Sequence, residues 1–239
     1  LLLSQFSAFS QQRTPLRRPT STTSPMWIIH IDTWNAADPE KIIKLVPEDI
    51  KPYVVFNVSL SVSDFVIKKY PFTICESWIR ACAENRVWVM IQPASGYLCN
   101  MPYSFSDEYE YFYKTYPNFL GWNFAEQNWG FPSGNEFKKR LDLFVELLKL
   151  GDKYGGYLSV SNFMGVGNYT NVMGQLKEHA AFEQACKTYN RNYILQDKFT
   201  FPSGFYDNES AHLGAFLSGY AGHYGIRFDE CGWRAQSDP

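Results

Sequence analysis

The chain has 239 residues, 45% of them hydrophobic, with 22 Lys and Arg against 24 Asp and Glu and a formal net charge of -2. That length and composition suit one sizeable core and exclude a disordered, collagenous or coiled-coil chain. The near-neutral charge supplies no attraction for a polyanion, so nucleic acid is not an expected partner, and no run approaches the ~18 apolar residues of a bilayer-crossing helix.

Residues 1–25 are rich in Ser, Thr, Gln, Pro and Arg, show no periodicity and end in Ser21-Thr22-Thr23-Ser24-Pro25; they read as an irregular lead-in. From Met26 to Pro239 short apolar strands alternate with helical patterns, the mark of βα units in one domain. The first strand is Trp27-Ile28-Ile29-His30-Ile31-Asp32-Thr33-Trp34, followed by Asp38-Pro39-Glu40, where Asp suits a helix cap and Pro its first turn. The second runs from Tyr53 to Leu60. A helical stretch then carries Cys75, Trp78, Ile79 and Cys82, the two cysteines sharing a face. The third strand is Val87 to Gln92 and the fourth Phe119 to Glu126. A long helix over about 135–151 presents Phe137, Leu141, Phe144, Leu147 and Leu148 on one face, and Gly155-Gly156 ends it. Further strands are predicted at 157–161, 193–197 and 224–230.

Seven such strands at ~30-residue spacing fit an α/β fold of the (β/α)8, TIM-type barrel kind lacking its last strand, rather than an open dinucleotide-binding sheet. No G-x-G-x-x-G follows the first strand, and Gly165-Val166-Gly167 has no third glycine. The chain opens Leu1-Leu2-Leu3 and closes Asp238-Pro239, which reads as a piece of a longer protein. The five cysteines form no C-x-x-C pair and suggest buried thiols.

In such a barrel the active site lies at the carboxyl ends of the strands. His30, Asp32 and Trp34 close the first strand, Asn57 and Ser59 the second, Gln92 and Ser95 the third, and Asn123, Glu126 and Gln127 the fourth. Asp197 closes the sixth, and Arg227, Asp229 and Glu230 the seventh. Carboxyls from four strands around one mouth suit acid–base work such as glycosidic cleavage, where one carboxyl donates a proton and another activates water or attacks. Glu126 follows Trp122 and Phe124 at period two, with Trp129 nearby, an apolar surround that would raise its pKa. A structural alternative makes it a helix cap or the partner of Arg227. Asp229 and Glu230 are adjacent, so only one can face the cleft. With four His, no H-E-x-x-H and no G-x-S-x-G, neither a metal nor any other cofactor is expected, nor a serine nucleophile. Aromatics reach 18% of the chain with 7 Trp; Trp34, Trp122, Trp129 and Trp233 are candidates to stack on sugar rings, against ordinary core packing.

These residues also carry a resemblance. Pro25 through Pro39, Pro52-Tyr53-Val54-Val55-Phe56-Asn57, Ile91-Gln92-Pro93-Ala94-Ser95-Gly96, Asn118 through Asn123 with Glu126-Gln127, and Lys153-Tyr154-Gly155-Gly156-Tyr157-Leu158 resemble stretches of glycoside hydrolase family 98 catalytic domains, in order over roughly residues 13–234. The resemblance implies an inverting, endo-acting glycosidase on a (β/α)8 barrel, cutting blood-group-type galactosyl linkages or xylan. It implies Glu126 as general acid and Asp229 as one member of the base pair. The second base would lie on a strand beyond Pro239, with Glu230 as the fallback within the chain. His30, Asp32, Trp34, Asn57, Gln92, Trp122, Asn123, Trp129, Asp197, Arg227 and Trp233 are the expected substrate contacts, an oligosaccharide or polysaccharide the partner, and a secreted or cell-surface location follows from such substrates. The reading from another class is a catalytically silent barrel that binds carbohydrate, or an inactive fragment.

Overall fold

The structure is a computed structural model that describes residues 13–33, 38–60, 71–99, 101, 105–127, 131–162, 172–199 and 205–228. Its strands are β1 (Trp27–Asp32), β2 (Val54–Ser59), β3 (Trp88–Ser95), β4 (Leu98–Cys99), β5 (Phe119–Ala125), β6 (Tyr157–Asn162), β7 (Tyr193–Phe199) and β8 (His223–Phe228). The helices are α1 (Pro39–Ile43), α2 (Pro71–Glu84), α3 (Asp107–Thr115), α4 (Gly134–Tyr154), α5 (Val172–Glu178), α6 (Ala180–Thr188) and α7 (Phe205–Leu217). All seven strands expected from the sequence are present. The sheet order is β1-β2-β3-β5-β6-β7-β8, parallel throughout, and the two-residue β4 folds back on β3 as an unexpected antiparallel hairpin. Parallel neighbours need a crossover, which the intervening helices supply.

Local chemistry sets the boundaries. Asp38 caps α1 by accepting from the Lys41 amide, with Pro39 in the first turn. Ser133 caps α4 by accepting from the Glu136 amide, and Glu136 stands at the position a capping box requires. Cys75 and Cys82 are both buried on α2, and burial pushes the Cys82 thiol up to about 12, so it is a packing thiol rather than a reactive one.

The sheet is curled. Arg227 Nη1 on β8 donates to Gln92 Oε1 on β3 at 3.0 Å, although these strands are four places apart in the sheet order. In a flat sheet that separation would be roughly 19 Å. Two apolar layers follow from the curl. On the convex side Val54, Phe56, Val89, Ile91, Trp122, Phe124, Leu158, Val160 and Leu195 pack against the helices. On the concave side Val55, Met90, Leu120, Tyr157 and Ile194 fill the amino-terminal end, joined by Leu16, Met26, Ile28 and Trp88. Among the described residues no ladder joins β8 back to β1, and Trp27, Ile29 and Ile226 are exposed near these two edges.

From residue 13 onward the lead-in carries no helix or named strand before β1, and it is tied to the amino-terminal end of the sheet. Arg17 donates to the carbonyls of Tyr113, Tyr116, Phe119 and Tyr154. Arg18 donates to those of Pro19, Ser24, Pro25 and Pro52, and Tyr157 Oη donates to the Arg18 carbonyl at 2.7 Å. The Arg17 amide bonds the Gly155 carbonyl at 2.8 Å. Gly155, the glycine that ends α4, has φ 70° and a left-handed C-cap geometry. A Cβ there would meet the Pro15 carbonyl oxygen at 2.0 Å. Gly155→Ala is therefore expected to cost about 2 kcal/mol or more in urea unfolding, combining a left-handed backbone with a backbone clash. A loss under ~0.5 kcal/mol would show that the arm does not press on this turn in solution.

Candidate active site

Strand alternation carries the concave face from apolar to polar along its length. Beyond Val55, Met90, Leu120, Tyr157 and Ile194 come Asn57, Gln92, Asn123, Ser159 and Gln196, all buried. At the carboxyl ends of the strands Asn57, Gln92 and Asn123 form one hydrogen-bonded layer with Ser59, His30 and Arg227, beside Ser159 and Gln196. Gln92 Oε1 accepts from Asn57 Nδ2 at 2.9 Å, Asn123 Nδ2 at 3.3 Å and Arg227 Nη1 at 3.0 Å. Gln92 Nε2 donates to Ser59 Oγ at 3.3 Å, and Asn57 Nδ2 stands 3.2 Å from His30 Nδ1.

The donors in this layer are fixed by arginine. A guanidinium only donates, so Gln92 must turn its oxygen to Arg227. Asn57 and Asn123 must then present their NH2 groups to that oxygen, and His30 Nδ1 must accept from Asn57. This assignment, drawn from hydrogen-bond complementarity, leaves His30 Nε2 as the donor. Gln92 is thus a hub. Gln92→Leu strands three donors, one charged, and is expected to lower stability by about 3 kcal/mol. Gln92→Glu keeps the acceptor and should retain most of the wild-type denaturation midpoint; equal losses in both variants would disprove the hub.

Glu126 follows β5 at the same end. Its φ is 57°, a left-handed conformation that is rare for a residue with a side chain and costs on the order of 1 kcal/mol. The surrounding backbone enforces it: the Gln127 amide bonds the Ser161 carbonyl at 3.0 Å, and the Gly96 amide bonds the Ala125 carbonyl at 2.9 Å. Gln127 is buried, donating to the carbonyls of Gly96 and Ala125 and accepting from Arg140. Arg140, fully buried on α4, also reaches the carbonyls of Gly96 and Tyr97 and lies over the Phe124 and Phe131 rings. The turn directs Glu126 back toward β3, where Ser95 Oγ donates to Glu126 Oε2 at 2.6 Å. The helix-capping alternative is excluded, because Ser133 caps α4.

Two expected contacts are corrected. Trp122 is 0% exposed and packs edge-on against Tyr109, Phe112 and Phe119 in the convex layer, so it cannot stack on a substrate. The cause is a register shift between Met90 and its neighbour: Val89 pairs with Phe119 but Met90 pairs with Gly121. With φ 140° at Gly121, this bulge resets the alternation and turns Trp122 outward. Of the apolar surround expected around Glu126, Trp122 and Phe124 face the helices, Phe124 packing on Phe144 at 4.9 Å, and Trp129 lies outside the described residues. Asp197, 1% exposed, follows Leu195 on the convex side and pairs in register with Asn162. Asn162 Nδ2 stands 3.3 Å from His212 Nε2 on α7, and burial, with Asp197 and Glu209 nearby, pushes Tyr224 up to about 12. Asp197 belongs to that sheet–helix layer, and Gln196, one residue earlier, takes its place on the concave face.

His30, Asn57, Gln92, Asn123 and Arg227 are therefore brought together as expected, and the backbone of Asp32 ends β1 opposite Ser59. Trp34, Trp129, Asp229, Glu230 and Trp233 lie outside the described residues. Among the described residues no group of three His, Cys, Asp or Glu side chains could hold a metal ion, and no helix is long and apolar enough to cross a membrane.

Residues 14–238 match the profile of Glycosyl hydrolase family 98. Among solved structures, the native catalytic module of a family 98 glycoside hydrolase from Streptococcus pneumoniae TIGR4 superposes with a TM-score of 0.70 at 16% identity, over 93% of this chain and 40% of that one. The same organism's module in complex with the H-disaccharide blood group antigen gives 0.66 at 16% identity, over 89% and 39%. The complex with the LewisY pentasaccharide gives 0.65 at 15% identity, over 89% and 39%. This chain thus spans about 40% of the length of those modules. No curated protein sequence matches it. The curled parallel sheet with its helices is the fold of these modules, and with the profile spanning nearly every residue, the chain belongs to glycoside hydrolase family 98.

Proposed function

We propose that this chain forms part of the catalytic module of an inverting, endo-acting glycosidase that cleaves internal β-linkages of blood-group-type glycans, with Glu126 as general acid. The observation that carries the reading is the placement of Glu126. A strained left-handed turn, clamped by Gln127 and Arg140, sets one carboxyl against Ser95 at the carboxyl end of the sheet. Strain maintained by its surroundings is a feature of functional sites, and this one lies where barrel enzymes assemble their chemistry.

In this mechanism Glu126 protonates the glycosidic oxygen while a carboxylate on the opposite side of the ring activates water. Asp229 is the proposed first member of the base pair; the second is proposed beyond Pro239, with Glu230 as the fallback within the chain. The acid and base would stand ~6.5–9.5 Å apart, leaving room for that water. His30, Asn123 and Arg227 supply donors for sugar hydroxyls and Asn57 its side-chain oxygen as an acceptor, Gln92 holds them, and Asp32, Trp34, Trp129 and Trp233 complete the subsites. One further parallel strand between β8 and β1 would close the barrel and cover their edges. Glycans of this size lie outside cells, so a secreted or surface enzyme is proposed.

Support for the glycan class comes from the H-disaccharide and LewisY complexes of the pneumococcal module. The test is product analysis with the full-length protein on H-type glycans and on glucuronoarabinoxylan, reading the first-formed anomer by proton NMR. Release of an internal fragment from the H-type glycan as the α-anomer is expected. Xylan cleavage would move the substrate class, a β-anomer would overturn inversion, and binding without cleavage of either would make the protein a carbohydrate-binding barrel.

A further inference from the structure

The geometry points to Ser95 as the residue that positions the acid: by holding Glu126 Oε2, it leaves Oε1 as the oxygen that carries and delivers the proton. The inference rests on the role proposed for Glu126 and adds a residue and an atom to it.

Ser95 sits where two devices converge. It is the last residue of β3, pairing with Ala125 of β5 on one side and with Leu98 of the β4 hairpin on the other. The register shift between Ile91 and Ala94 alters the alternation after Gln92, so that Ala94 joins the convex core and Ser95, the next residue, turns to the concave side. There its hydroxyl meets Glu126 Oε2 at 2.6 Å, the short distance of a hydroxyl-to-carboxyl hydrogen bond. Ser95 ends β3 and Glu126 follows β5, each held by backbone pairing of its neighbours, so the contact is built by the sheet and not by chance meeting of long side chains.

The chemistry follows from which oxygen is engaged. A hydroxyl donates to the oxygen without a proton, so protonated Glu126 carries its proton on Oε1. In the reaction that proton passes from Oε1 to the glycosidic oxygen as the C–O bond breaks, the bonding pair leaving with that oxygen. A water adds at the anomeric carbon and gives its proton to the base. The carboxylate left behind keeps the Ser95 hydrogen bond, which stabilises the charge that develops on it. Other charged groups of this end have their own roles: Arg140 on α4 donates to Gln127 and to the Gly96 and Tyr97 carbonyls, and Arg227 on β8 donates to Gln92. Both remain in a Ser95 variant and cancel in a comparison with wild type.

The experiment pairs Ser95→Ala with Ser95→Thr, which keeps the hydroxyl. Two substrates are used in the full-length protein: the H-type glycan, whose sugar leaving group needs protonation, and the 2,4-dinitrophenyl β-glycoside of the H disaccharide, whose leaving group does not. Ser95→Ala is expected to lose about 10- to 100-fold in kcat on the glycan, with KM within about twofold and less than about threefold loss on the aryl glycoside. Ser95→Thr should recover most of the glycan rate. Equal losses on both substrates, or no loss on either, would overturn the inference. A wild type inactive on both would instead sink the glycosidase reading, and the inference is then decided by NMR of the 239-residue chain carrying 13C-labelled Glu carboxyls. There the Glu126 midpoint should rise by roughly one pH unit in Ser95→Ala and return in Ser95→Thr; an unmoved midpoint would refute it.

Discussion

Glu126→Gln in the full-length protein is expected to lower kcat on the cleaved glycan by ~10²–10⁴-fold, the range a positioned general acid contributes, while leaving the denaturation midpoint within ~0.5 kcal/mol of wild type. The two halves of this result have separate causes. An amide has no transferable proton, so a sugar leaving group would depart as an alkoxide. The fold is indifferent to that change because the left-handed turn is held by main-chain bonds from Gln127 to Ser161 and from Gly96 to Ala125, and by the Gln127–Arg140 clamp, none of which uses the carboxyl. The Gln side-chain carbonyl can still accept from Ser95 where Glu126 Oε2 does now. An aryl glycoside with an activated leaving group should therefore be turned over nearly as fast as by wild type. A variant that cut the natural glycan within a few-fold of wild type would remove Glu126 from the chemistry and leave the amide layer as a binding surface only.

Much of this architecture is legible in the residues. Runs such as Val54-Val55-Phe56 and Trp88-Val89-Met90-Ile91 declare buried parallel strands because β-branched and aromatic side chains suit a sheet covered on both faces. Asp38-Pro39 and Gly155 mark helix ends through capping chemistry that is local to the chain. What the pattern cannot carry is facing, once a strand departs from strict alternation. Trp122, expected at the mouth as a sugar-stacking ring, and Asp197, expected there as the close of its strand, both point to the helices. For Trp122 the departure is the bulge before Gly121, a glycine whose φ of 140° no sequence period reports. For Asp197 the information was present: counting by twos from Ile194 on the concave face gives Gln196 and leaves Asp197 on the convex side. Gln127 hid for another reason. Its role as a clamp depends on Arg140, thirteen residues on and nearly two turns into a helix whose apolar face gave no sign of a buried cation.

Arg17→Ala is expected to lower stability by about 3 kcal/mol, more than an arginine in a terminal arm would ordinarily cost. The guanidinium donates to the Tyr113 and Tyr116 carbonyls at the end of α3, to the Phe119 carbonyl at the start of β5 and to the Tyr154 carbonyl at the end of α4, at 2.7–2.9 Å. Helix ends leave carbonyls without intrahelical partners and carry partial negative charge, so one cation satisfies two helices and a strand at once. Its plane also lies over the Tyr113 ring at 5.5 Å, and burial lowers the Arg17 pKa without discharging it. Arg17→Lys supplies a point charge that reaches only part of this set, so an intermediate midpoint in urea is expected. Gly155 faces the same arm through its contact with Pro15, and Gly155→Ala displaces the segment that carries Arg17. The double variant should therefore lose less than the sum of the two single losses, by about 1 kcal/mol. Strict additivity would mean that the arm and the α4 terminus are held independently, and the arm would then be a passive lead-in rather than the closure of the sheet's amino-terminal end.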